Sequence, residues 1–164
     1  MKEALFYHTG EDQTAECNLC HHRCRIVPAQ EGLCGVRRNI EGRLYSLVYD
    51  RLVSTQIDPI EKKPFFHFLP GSRSLSIATV GCNFRCLHCQ NHQISQWPRE
   101  ARRQSDGPAG EIPGRPLSPH EIVSLARTHQ CASISYTYTE PTVYLELALE
   151  TSRLAHPEGI RNLF

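Results

Sequence analysis

The sequence predicts an α/β fold: the first two to three strand–helix units of an incomplete parallel (β/α) barrel, preceded by a small cysteine-rich module with short strands. Three observations carry this expectation. From residue 75 onward, apolar β-branched runs alternate with amphipathic runs of helical period, which is the rhythm of βαβ units. Residues 17–34 gather four cysteines among polar and glycine residues, with too few apolar side chains to enclose a core of their own. The rhythm then stops at Phe164, on an apolar residue with no closing helix, so a longer fold that has been cut is expected. The predicted division is 1–70 for the module and 71–164 for the front part of the barrel.

Within the module, LYSLVY and LVSTQI read as strands between Gly42 and about Phe68, punctuated by turns at Asp58-Pro59 and Leu69-Pro70-Gly71. LSIATVGC, residues 75–82, carries no charge and mixes β-branched with small residues, as a strand buried on both faces does. Residues 98–116 are rich in proline, glycine and arginine and are expected to form a mobile loop. Ser118 opens a helix: it can cap, Pro119 suits the first helical position and Glu121 completes a capping box. Ile122, Leu125 and Ala126 share one face of that helix. CASISYTYTEP is the second strand, a helix from about Pro141 to Ala155 follows, and Ile160 begins a third strand.

The 164 residues carry a formal net charge of +1, which leaves no electrostatic footprint for nucleic acid or an acidic membrane. The opening MKEALFYHTGEDQ lacks the apolar core of a signal peptide, and no apolar run is long enough to span a bilayer, so a cytoplasmic location is expected. Eight cysteines in such a chain need a reason. A disulfide scaffold would call for export, whereas tight grouping suits thiolates converging on a metal.

One group is GCNFRCLHCQN, where Cys82, Cys86 and Cys89 form a C-x3-C-x2-C triplet directly after the predicted strand. Three thiolates can hold three irons of a cubane while the fourth iron keeps an open position, and openness is what separates a catalytic centre from a closed structural one. The competing reading is a zinc site completed by His88 or His92. The second group, Cys17, Cys20, Cys24 and Cys34, can close a tetrahedral zinc site, with His21 or His22 able to replace one thiolate, or hold a second iron–sulfur cluster; the weight falls towards zinc. Cys131 begins a strand and reads as a small core residue. Lys62 and Lys63, beside Phe65, Phe66 and His67, read as a positive turn packed on aromatic rings. Tyr136 and Tyr138 alternate with Ser135 and Thr137, so only one set should face the barrel interior.

The triplet resembles the signature of radical S-adenosylmethionine (SAM) enzymes, with His88 in the position of the usual aromatic residue. CLHCQN is similar to the corresponding loop of pyruvate formate-lyase activating enzyme. The run from DPIEKKPFFHFLPGSRSLSIATVGCNFRCLHCQN to ISQ, the block CNLCHHRC…GLCGVRRN and SYTYTEPT more closely resemble the radical SAM member of the AmmeMemoRadiSam group. The resemblance implies a [4Fe–4S] cluster on Cys82, Cys86 and Cys89, with SAM held by residues including His88, Asn91, Thr139 and Glu140. It implies reductive cleavage of SAM to a 5′-deoxyadenosyl radical, followed by hydrogen abstraction from a substrate it does not name. The implied partners are a low-potential flavodoxin- or ferredoxin-like electron donor and either AMMECR-type and Memo-type proteins or a glycyl-radical protein, with no membrane and no nucleic acid. From spacing alone, Glu140 reads equally as a helix N-terminal acid favoured by the macrodipole. Threonine at 139, where relatives of this kind carry glycine, is a departure from the pattern. The alternative to an enzyme is a non-catalytic fragment that binds a cluster or zinc and serves electron transfer or interaction.

Overall fold

The structure, a computed structural model, describes residues 1–105 and 110–164. Six short strands open the chain: β1 (Lys2–Glu3), β2 (Tyr7–Thr9), β3 (Ala15–Cys17), β4 (Arg25–Ile26), β5 (Arg37–Ile40) and β6 (Arg43–Ser46). They pair antiparallel in two three-stranded sheets, β2-β3-β4 and β1-β6-β5. The β5–β6 turn places Glu41 at φ +51° and Gly42 at φ +84°. Two successive left-handed residues match the right-handed twist of the strands they join, and glycine takes the second without a Cβ penalty. The core shared by these sheets is small, built on Ala4, Ala15, Cys17, Ile26 and Leu44.

The main sheet follows. After β7 (Arg51–Leu52) come β8 (Ser54–Pro59) and β9 (Arg73–Ala78), an antiparallel pair linked through a 3₁₀ turn at Ile60–Lys62. The chain then forms α1 (His92–Ser95), α2 (Trp97–Ser105), β10 (Arg115–Pro116), α3 (Pro119–Thr128), β11 (Cys131–Tyr136), α4 (Leu145–Ala155) and β12 (Arg161–Leu163). Sheet order is β12-β11-β9-β8, with β9, β11 and β12 parallel and β8 antiparallel at the edge. The chain is therefore mixed α/β, and β8 belongs to the main sheet although it lies within the 1–70 segment.

The helix expected after Ser118 forms as anticipated. The Ser118 hydroxyl accepts from the Glu121 N–H and the Glu121 carboxylate accepts from the Ser118 N–H, with Pro119 in the first turn. Ile122 and Ala126 of α3, and Leu147 and Ala148 of α4, are buried against Leu75, Ile77 and Ile134 of the sheet. Each large apolar side chain so buried contributes about 1.5–3 kcal/mol. The other pleat of the strands is polar: Ser74, Ser76 and Ser135 are buried, and Ser74 Oγ and Ser135 Oγ share a 2.7 Å hydrogen bond. Cys131 is buried in the main core.

The segment expected to be a loop at 98–116 is instead helical over its first part, α2, and ends in β10, which pairs with β7. The proline and glycine that suggested a loop are concentrated after Ser105, whereas Arg99 to Gln104 are good helix formers and Pro98 sits in the tolerated first turn. Residues 106–109 of that segment lie outside the described residues. Among the described residues no helix is long and apolar enough to cross a membrane.

Candidate cofactor cleft and a four-cysteine cavity

Cys82, Cys86 and Cys89 lie on the loop that leaves the carboxyl end of β9, the end where α/β sheets place ligands. Gly81 starts this loop at φ +92°, and a Cβ there would stand 2.5 Å from Val36 Cγ1 and 3.0 Å from the Cys34 carbonyl. Glycine is required twice over, by backbone conformation and by close approach. The loop is thereby pressed onto the Cys34 segment. Cys82 is buried, Cys89 half-buried and Cys86 exposed. The Phe84 N–H approaches Cys82 Sγ at 3.4 Å, and Cys89 Sγ lies 3.5 Å from Ser95 Oγ.

The three cysteines line a cleft of about 670 Å³, within the range of small-ligand sites. Its opposite wall comes from the chain beyond β11: Thr137, Tyr138, Thr139 and Glu140. Both Tyr136 and Ser135 also border it, so the alternation expected to turn only one set inward does not hold at this end. The physical reason is that the strand stops at Tyr136 and the chain twists out of its pleat, with Tyr138 at φ +65°. A bulky residue there is strained, and strain of this kind gathers at ligand sites. Two contacts hold it: Asn91 Nδ2 donates to the Tyr138 carbonyl at 3.1 Å, and the Tyr138 hydroxyl donates to Asp58 Oδ2 at 2.7 Å.

Asp58, which in the sequence reads only as part of a turn, is a hub. It also accepts from Lys62 Nζ at 2.7 Å, Lys63 Nζ at 2.8 Å and Ser76 Oγ at 2.7 Å. Burial alone would raise its carboxyl, but these four donors outweigh burial and hold it well below the ordinary carboxylate value. Lys62 and Lys63 therefore border the cleft tied to a buried acid, with Lys63 Nζ 4.7 Å from the centre of the Tyr138 ring. The other partners of Asp58, at positions 76 and 138, arrive only with the fold, so no local motif announces the arrangement.

Of the residues expected to contact SAM, Asn91, Thr139 and Glu140 meet at the cleft, while His88 is exposed on the loop and is not among the lining residues. Thr139 Oγ1 donates to the Thr79 carbonyl at 3.0 Å, tying the ends of β9 and β11 together. Glu140 Oε1 accepts from the Thr142 N–H at 3.3 Å and the Thr142 hydroxyl at 2.6 Å. It thus caps the 3₁₀ turn Pro141–Tyr144 and faces the cleft at once.

The other cysteines gather next door. Cys17, Cys20, Cys24 and Cys34 line a cavity of about 20 Å³ together with His22 and Arg37, whereas His21 lies on an outer groove. Burial pushes the Cys34 thiol up to about 11, opposed in part by the Arg37 charge. His22 Nε2 stands 2.8 Å from the Asn83 carbonyl, and Arg99 Nη2 donates to the carbonyls of Leu33 at 2.9 Å and Cys82 at 3.4 Å. The segments that carry the two cysteine groups are thus neighbours, joined by the His22 contact and bridged by Arg99. Among the described residues, no three His, Cys, Asp or Glu side chains stand in metal-holding geometry, so either group must draw its side chains inward to close on a metal.

Residues 76–164, which carry the triplet, the second half of β9, β11, β12 and the Glu140 wall, match the Radical SAM superfamily. The chain belongs to that superfamily. An uncharacterized protein of Methanocaldococcus jannaschii is 47% identical over 163 residues, an alignment covering 99% of this chain and 46% of that protein. The chain therefore spans about half the length of the curated relative it matches. No solved structure matches it. For a radical SAM protein the donor chemistry fits: three soft thiols stand on one loop, and the cleft beside them has room for a small ligand.

Proposed function

We propose that this chain carries the cofactor-binding front of a radical SAM enzyme, with Cys82, Cys86 and Cys89 holding a [4Fe–4S] cluster and the adjoining cleft holding SAM. The observation that carries the reading is convergence. The triplet loop after β9 and the Thr139-Glu140 segment after β11 line one cleft, though they are some fifty residues apart in the chain. When bound, the cluster supplies the electron that cleaves SAM reductively, and the radical so formed abstracts a hydrogen atom from substrate.

The rest of the work falls to side chains. Glu140 offers a carboxylate to the SAM ammonium, a charge-assisted hydrogen bond. Asn91 and Thr139 fix the strained backbone that presents Glu140, the one through the Tyr138 carbonyl and the other through the Thr79 carbonyl. Lys62 and Lys63, held by Asp58, set a positive edge on the cleft that suits a carboxylate. His88 is placed to cover the adenine only if the loop folds over a bound ligand. The finer assignment is to the AmmeMemoRadiSam type, supported by the resemblance of the CNLCHHRC…GLCGVRRN and SYTYTEPT blocks. AMMECR-type and Memo-type proteins and a low-potential electron donor are the partners that assignment brings, with a glycyl-radical protein as the other candidate substrate. The division into a 1–70 module and a 71–164 catalytic front belongs to the same reading.

The test is anaerobic reconstitution with iron and sulfide, followed by EPR of the dithionite-reduced protein with and without SAM. A reduced-cluster signal that changes on adding SAM, and that is lost in C82S/C86S/C89S, is the expected result. A signal indifferent to SAM would overturn the reading and leave an electron carrier.

A further inference from the structure

We propose that Cys17, Cys20, Cys24 and Cys34 hold a single thiophilic metal ion, zinc by its fit, as a closed tetrathiolate whose buried donor is Arg37. Three observations carry this, and none depends on the cleft described above.

The first is convergence from separate elements. Cys17 ends β3, Cys24 lies just before β4, Cys20 sits in the turn between them and Cys34 comes from the later turn ahead of β5, yet all four border one cavity. The Cys17 N–H donates to the Cys24 carbonyl at 2.9 Å, which pins the two ends of the knuckle. The second is size. The cavity of about 20 Å³ has room for about one water-sized atom. A single ion enters it once the thiolates turn inward, whereas a cubane of four irons and four sulfides would force the walls apart.

The third is Arg37. Its side chain is 2% exposed and lines the same cavity. Nη2 donates to Glu146 Oε2 at 2.6 Å, but Nε and Nη1 find no hydrogen-bond partner among the described residues. Buried guanidinium donors are rarely left orphaned, and neutral thiols are poor acceptors for them. Metal-bound thiolates are good acceptors, and N–H donors to the ligands are how a protein supports such a centre from outside the ligand shell. A loaded site thus accounts for the two buried N–H groups that the pairing with Glu146 leaves unused.

The ion would also complete a core too small to hold two sheets unaided. Its supports lead outward to the radical SAM part: Arg37 reaches Glu146 at the start of α4, and His22 reaches the Asn83 carbonyl within the triplet loop. The site is a staple between the two parts, not a relay.

The experiment is elemental analysis of the chain and of C82S/C86S/C89S, combined with mass-spectrometric mapping of cysteine alkylation before and after a zinc chelator. The expected result is about one zinc per chain in both proteins, with protection of Cys17, Cys20, Cys24 and Cys34 that the chelator removes. Cobalt in its place should give the thiolate-to-metal charge-transfer absorption of a tetrathiolate site. Iron with inorganic sulfide in the triple variant would overturn the proposal in favour of a second cluster. Alkylation of the four cysteines as fast as exposed Cys86 in the untouched protein, with no metal, would overturn it outright. The mapping is made on the unmodified chain, so misfolding of the variant cannot decide the outcome, and failure of the cluster test leaves the zinc result unchanged.

Discussion

At Asp58 four donors meet one buried carboxylate, and the sign of its contribution follows from the direction of its shift. A carboxyl held below its ordinary value stabilises the fold above the unfolded-state pKa of about 4 and loses that contribution as pH falls through the lower folded value. Asp58→Asn should therefore cost about 2–3 kcal/mol at neutral pH, less than the ~3–5 kcal/mol of a fully buried broken pair, because Lys62 is over half exposed and can rehydrate. Urea melts at pH 7 and pH 3.5 should show the gap between variant and parent narrowing at the lower pH; an equal gap at both would exclude the charged network as its source. The contrast with the cysteines explains what could be read at this scale. C-x3-C-x2-C is a local spacing and declares itself. Asp58 depends on Ser76 and Tyr138, and Arg37 on Glu146, partners too far along the chain for any motif to join.

Elements were legible where the signal is local and several cues agree. Ser118, Pro119 and Glu121 mark the start of α3 in the sequence, and the capping hydrogen bonds are present as read. The run 75–82 is a strand only to Ala78, because the chain must leave the sheet to make the triplet loop, and Gly81 is the hinge. Helix α2 is masked in the sequence because most of the prolines and glycines that mark 98–116 as a loop lie after Ser105. The tie between elements at Gly81 gives a prediction of its own. Gly81→Ala places a methyl against Val36 Cγ1 and forces an unfavourable φ, so it should destabilise the chain by about 1–3 kcal/mol. The displaced loop should also lower iron uptake on reconstitution by the Cys82 group. A variant with parental stability and parental iron content would show that the loop adapts, and that its seat on Cys34 is incidental.

On the scale of the whole molecule, the question is whether the two small sheets and the main sheet behave as one unit. Their hydrophobic clusters are separate, one around Ala15 and Leu44 and the other around Ile77 and Leu147. Val36 and Val48, at the ends of the β5–β6 hairpin, are buried in the second cluster, and polar contacts add to that tie. Glu146, almost fully buried on α4, accepts from Arg37 of β5 at 2.6 Å and from the Leu5 N–H at 2.8 Å. Glu31 pairs with Arg102 of α2 at 2.7 Å, and Gly35 lies close enough to Pro98 that a Cβ would overlap it. Two weakly cored sheets have little reason to persist alone, so part of their stability is borrowed through these contacts. Glu146→Gln removes the charge that balances a buried guanidinium, a loss of about 3–5 kcal/mol when a buried pair is broken on one side. Native-state hydrogen exchange should show β3, β5 and β6 protected to the same free energy as β9 and β11 in the parent, and falling to a lower, separate level in the variant. Equal protection in both proteins would mean that the Arg37–Glu146 pair couples nothing. A parent whose front sheets already exchange independently would mean that they are an autonomous module, held by their cysteines and not by the sheet behind them.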